Sequence, residues 1–443
     1  MNKNKCVIYA PLETYSGYGS RSRDIIKAII ELKKEEWDIK IISCRWGNCP
    51  WGFIEDHEEK WGFLKPYILK TPLNYQPDYM FWITIPPEAQ IVGKWNCLIT
   101  AGIETTVCDP SWIEGINRMN LTLVSSEHAK KVFQDSKFEK RDQRTNQLIG
   151  TIQLEKPVEV LFEGADLDLY KVIEPKEIQT IDLDSIKESF CYLFVGHWMQ
   201  GHLGEDRKNV GLLVKAFYET FKNKKNKPAL ILKSSGAGSS YMDRNQILDK
   251  INQIKETVNS KDLPNVYLLH GDLIDEEINE LYNHSKVKAM ISLTKGEGYG
   301  RPLLEFSLIK KPIIASKWSG HLDFLNEEFV SLVPGELKQV HPSAVVQNII
   351  LAESQWFSPD TGHVGHYLKD VFENYKDYKE KANRQSFYAK TNFSWDKMKE
   401  KVGELFGKHI PEFPKQVQLK LPQLKKIELP KLKKVEPENV ETK

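Results

Sequence analysis

Short apolar runs alternating with helical patterns are the feature that most limits what this chain can become. They come in two series. The first lies at 6–10, 39–43, 79–84, 97–100, 121–124 and 158–162. The second lies at 191–196, 229–233, 266–270, 287–293, 312–316 and 330–334. Runs of that length read as strands buried on both faces, and helices between them supply the crossovers that parallel strands require. One such helix begins near Asn209 and carries Leu212, Leu213, Ala216, Phe217 and Phe221 on one face. Two open α/β sheets are therefore expected, with a crevice at the carboxyl ends of their strands.

The series divide the chain into a first α/β unit at 1–172, a connection at 173–189 and a second unit at 190–375. The connection holds Pro175 and mixed charges. Helices are expected at 367–387 and 395–406, the segment 376–410 forming a helical close to the chain. The tail at 411–443 contains an eight-residue repeat, Leu421-Pro422-Gln423-Leu424 onward and again Leu429-Pro430-Lys431-Leu432 onward. A proline in each unit forbids a continuous helix. The tail reads as a tether, or as an extended strip that docks its leucines on a protein partner.

At 443 residues the chain can bury large cores without disulfides or metal staples. A formal net charge of +1 gives no whole-chain field for nucleic acid or an anionic membrane. Of the six cysteines only Cys44 and Cys49 are close, and no second pair follows, so no zinc site is expected. The first apolar run is too short for a signal peptide and none approaches a bilayer span. A cytoplasmic protein is expected.

Three segments carry chemistry. Lys295-Gly296-Glu297-Gly298-Tyr299-Gly300-Arg301-Pro302-Leu303-Leu304-Glu305 follows a buried strand and leads into a helix. Pro302 suits a first helical turn, and the glycines let backbone approach a ligand. Helix N–H groups there can face a phosphate, and Glu297 and Glu305 can take sugar hydroxyls. Second, His197 follows a strand end, with Arg207 and Lys208 at the expected start of the next helix. Cations there oppose the helix dipole, which suggests an anion between them. Third, Gly17 and Gly19 lie in Tyr15-Ser16-Gly17-Tyr18-Gly19-Ser20 after the first strand, without a third glycine in the dinucleotide pattern.

Taken in order, these segments resemble the retaining glycosyltransferases of the glycogen-synthase-like, GT-B type (the family 4-like, group 1 set). The resemblance rests on Glu297 and Glu305 at their spacing, Pro312-Ile313-Ile314-Ala315 after them, and Arg207-Lys208-Asn209 before a helix. Glu163-Gly164-Ala165-Asp166 looks like the family's hinge, and Phe393-Ser394-Trp395-Asp396 like the start of its last helix, which returns to the first domain. The resemblance implies a first, acceptor-side domain and a second, nucleotide-sugar-binding domain. It implies that Glu305 holds the ribose and that Glu297 contacts the donor sugar. Arg207 and Lys208 would neutralise the diphosphate. Gly17, Gly19, His197, Gly298, Tyr299, Gly300 and Arg301 would line the donor site. A UDP- or GDP-sugar is implied as co-substrate, with no cofactor and no metal.

The chain also departs from the family. His197 stands where an arginine is usual, and Gly102-Ile103-Glu104-Thr105-Thr106 stands where the first domain often has a histidine. Glu104 is the candidate acceptor or sugar contact. Asp166-Leu167-Asp168 and Asp182-Leu183-Asp184 match a metal-binding pattern but fall in the hinge and the connection. The acceptor is left open between glycan, lipid, protein or another hydroxyl. A sugar phosphorylase, a nucleotide-sugar epimerase or a non-catalytic binding protein on the same fold remain alternatives.

Overall fold

The computed structural model describes residues 3–142, 144–198, 200–201, 203–236, 238 and 240–413. Its first sheet has six parallel strands in the order Trp37–Ser43, Asn4–Ala10, Tyr79–Ile83, Trp95–Thr100, Leu121–Val124, Val158–Val160. Its second has six in the order Val266–Leu269, Ala229–Lys233, Cys191–Val195, Val287–Ser292, Ile313–Ser316, Ser331–Val333. The twelve apolar runs became these twelve strands. Within a strand, neighbours serve opposite faces: Cys6, Ile8 and Ala10 enter one core and Val7 the other.

Each sheet is covered on both faces. The helices Gly17–Lys33 and Trp395–His409 share one core of the first sheet, and Pro110–Asn117 and Glu127–Asp135 share the other. The last helix thus returns to the first domain, placing Met398, Val402, Leu405 and Phe406 beside Trp37 and Phe81. The chain passes between the domains twice, and the two passages pair. Ala165 N–H donates to Phe393 O at 2.9 Å and Trp395 N–H donates to Ala165 O at 2.8 Å. Gly164 is required there, since a Cβ would lie 2.6 Å from the Trp395 Cα.

Several expectations need revision. The single helix at 367–387 is two, Thr361–Glu373 and Tyr375–Asn392. Asn374 breaks them with φ −115°; its N–H closes the first helix on Asp370 O at 2.8 Å while its side chain donates to Asp370 Oδ1. The connecting stretch 173–189 is packed on the second domain, burying Leu183 and Ile186 in its core. Two hairpins had no counterpart in the reading, Phe138–Arg141 with Leu148–Ile152 and Gly335–Gln339 with Gln355–Pro359. Of the tail, only residues 411–413 are described: Pro411 O accepts from Tyr79 Oη and Phe413 packs on the Tyr79 ring. The repeat at 421–436 lies outside the described residues. Among the described residues no helix is long and apolar enough to cross a membrane.

Candidate active site

Strand order reverses once in each sheet, and a crevice opens at the carboxyl ends of the strands that flank each reversal. In the second sheet those strands are Cys191–Val195 and Val287–Ser292. His197, Arg207 and Lys208 follow the first, and Glu297 follows the second. The loops close on one carboxylate. Lys208 Nζ lies 2.5 Å from Glu297 Oε1, and Arg207 Nη1 lies 3.3 Å from Glu297 Oε2 and 3.4 Å from Glu104 Oε1. Arg207 also donates to Gly296 O at 2.8 Å.

The helix behind the cations begins only at Val210, after Asn209 in a left-handed conformation with φ 57°. Arg207 and Lys208 therefore precede it, and the dipole argument gives way to direct pairing with carboxylates. Burial would raise the Glu297 carboxyl, but Lys208 and Arg207 outweigh it and hold it at about 2. Burial also works against the Arg207 charge, yet Glu104 and Glu297 keep it above its ordinary value. For Lys208 burial prevails and lowers it. At the rim, His197 Nδ1 sits 3.0 Å from Ser235 Oγ, its ring held below the usual histidine range by desolvation and then by Lys208.

The glycines serve a purpose the sequence did not announce. A Cβ on Gly296 would lie 2.0 Å from Glu104 O, and one on Gly298 would lie 2.8 Å from Ala101 O. These two glycines admit the first domain's backbone, where a ligand was expected. Ser125 and Ser126 donate to Gly298 O at 2.9 and 2.7 Å. Gly300, with φ 101°, sets the left-handed turn into the helix Arg301–Ser307. Gly19 is packed against Thr14 O, whereas the Cβ direction of Gly17 is open for 4 Å. Ser16 caps that helix by accepting from Gly19 N–H.

Of the remaining predicted donor residues, the Tyr299 ring is turned into the core against Phe324. Glu305 is buried, and that burial raises its carboxyl to about 7 against the pull of Arg301, whose Nε lies 3.4 Å away. Arg301 reaches further, to Asp24 at 2.7 Å and Glu163 at 3.5 Å, and Arg21 holds Glu163 at 3.1 Å. This network joins the second domain to the first. Asp24, Arg21, Ser125 and Ser126, which take part in these contacts, were not singled out in the sequence, and Glu163 only as part of the hinge. The available signal was Arg21, Arg23 and Asp24 beside Ile25 and Ile26, charges set close to the apolar positions of one helix.

Two doubly wound domains, with paired cations and a carboxylate at the second domain's switch point, make up a GT-B architecture. Residues 199–356, within the second domain, match the family model described as Glycosyl transferases group 1, which supports a transferase. No curated protein matches the chain in sequence. Solved structures share the fold at low identity. A glycosyltransferase from Rickettsia africae is 13% identical with a TM-score of 0.62, over 92% of this chain and 99% of that one. HepE of Anabaena, in complex with UDP and glucose, is 12% identical with a TM-score of 0.57, over 91% and 100%. Sucrose-phosphate synthase of Thermosynechococcus elongatus is 12% identical with a TM-score of 0.58, over 92% and 99%.

Proposed function

We propose that this protein moves a sugar from a UDP- or GDP-sugar to a hydroxyl acceptor with retention of anomeric configuration, without a metal, in the cytoplasm. The observation that carries the reading is the convergence of Lys208 and Arg207 on Glu297 at the switch point. A diphosphate entering there meets two preorganised cations where its charge grows as the sugar departs. Metal independence rests on these two cations turning from Glu297 and Glu104 to the diphosphate when it enters.

Held at about 2, Glu297 is ionised at neutral pH and accepts hydrogen bonds from donor-sugar hydroxyls. Glu305 is assigned to the ribose, and the open side of Gly17 to the diphosphate. Glu297 and Glu104 are both engaged by cations. That supports the leaving phosphate as the group that takes the acceptor's proton, with the new bond forming on the face the phosphate leaves. The UDP complex of HepE favours uridine.

Thermal stability with UDP, GDP, ADP and their sugar conjugates, each with and without a chelator, tests this. A nucleotide at a hundred times its dissociation constant adds about 2.7 kcal/mol. One nucleotide diphosphate giving a chelator-insensitive shift is the expected result. No shift with any of them would overturn the assignment.

A further inference from the structure

Trp61, Trp82 and Trp95 are core residues, but Trp46 and Trp51 are not. Both lie in the loop after the strand Trp37–Ser43, at the carboxyl edge of the first sheet. That loop is tied to the segment before Gly17. Thr14 and Trp51 form a bridge, Tyr15 N–H donates to Pro50 O at 3.1 Å, and Gly52 N–H donates to Glu13 O at 3.0 Å. Trp46 gives one face to Tyr18, with centroids 3.9 Å apart, and stays partly exposed. Trp51 and Tyr15 are each 38% exposed.

This aromatic rim is continuous with the catalytic loop. Tyr18 Oη lies 2.9 Å from Thr100 Oγ1 and accepts from Ala101 N–H at 3.0 Å. Ala101 O in turn abuts Gly298, next to Glu297. Polar groups are set among the rings: the Arg45 guanidinium lies 4.6 Å from the Trp51 ring centre, and Tyr15 Oη donates to Asp56 at 2.5 Å.

We infer that Trp46 and Trp51 form the acceptor subsite and that the acceptor is a neutral saccharide. The inference rests on the transferase reading given above. Indoles left partly in water beside a cleft are apolar surface awaiting a partner. A pyranose offers such a partner, an apolar C–H face ringed by hydroxyls for Arg45, Tyr15 and Asp56. The rim's exposed acids Glu55, Asp56, Glu58 and Glu59 outnumber its cations Arg45, Lys60 and Lys65, the last already paired with Glu58, so it offers no net positive field to nucleic acid or anionic lipid headgroups.

The test is saturation-transfer NMR of the full chain with neutral di- to tetrasaccharides of glucose, galactose and mannose, with nucleotide-induced thermal shifts measured in parallel. Saccharide C–H protons should receive saturation, and W51A and Trp46→Leu should each weaken saccharide binding about tenfold while the nucleotide shift persists. A nucleotide shift without saccharide binding, or saccharide binding that both variants leave intact, overturns the subsite and leaves the transferase standing. Saccharide binding lost in W51A without any nucleotide shift would uphold the subsite and sink the donor assignment instead. Trp51 is exposed, so W51A keeps its fold; an unchanged circular dichroism melt checks this.

Discussion

The two glutamates of the catalytic loop are buried alike and titrate in opposite directions, because one has two cations on its oxygens and the other shares a single arginine with Asp24 and Glu163. Glu297 sits at about 2, below its ordinary 4.5. Its pairing therefore contributes stability above that ordinary value, lost as pH falls towards 2. Glu305 sits at about 7, above its ordinary 4.5. Its unfolded form ionises first, so stability declines as pH rises from 4.5 towards 7. Glu305→Gln should accordingly gain melting temperature relative to the parent at pH 8 and gain none at pH 4, read by calorimetry. Glu297→Gln should lower kcat by about a hundredfold or more, if loss of this charged contact costs what one oxyanion donor does. Retained turnover would show that the carboxylate is structural. At Gly296 an added methyl would meet Glu104 O at 2.0 Å. Gly296→Ala should then cost about 1–3 kcal/mol in urea melts, together with loss of activity, as overpacking does.

The hairpin Gly335–Gln339 with Gln355–Pro359 grows from the second domain yet ends on the first. Thr106 N–H donates to Gln355 O and Gln355 N–H to Thr106 Oγ1, both at 2.9 Å. Beyond it, the buried Trp112 indole donates to Asn348 O at 2.9 Å. Trp112→Phe removes that donor and leaves a void where the pyrrole ring packed. It should lower stability by about 1–3 kcal/mol in denaturant titration, the bond and the void together. The sequence could not show this element. Gly335–Gln339 is exposed throughout and has no apolar period to read, as is also true of most of Phe138–Ile152. Strands such as Leu121–Val124 were legible because every residue is buried, which turns packing directly into an apolar run. The positions of Arg207, Lys208 and Glu297 were legible from their place after strands. The roles of Gly296, Gly298 and Asp24 were not, because each meets its partner only across the cleft, at a sequence distance that no local pattern records.

On the scale of the molecule, the first domain is assembled from both ends of the chain. The paired passages at Ala165 and Trp395 lead into a last helix whose Met398, Val402, Leu405 and Phe406 complete the core around Trp37 and Phe81. A fragment ending at residue 189 lacks that helix and leaves those aromatics uncovered. It should show no cooperative thermal transition, and a peptide spanning 393–413 added in trans should restore one; a cooperative melt of the fragment alone would contradict this. During synthesis the same arrangement sets an order. The second domain has its six-stranded sheet by residue 333 and its core helices by residue 392, whereas the first waits, with an open apolar face, for the helix Trp395–His409 that follows. The half made first is thus the half finished last, and it is the nascent first domain that stands most in need of a chaperone.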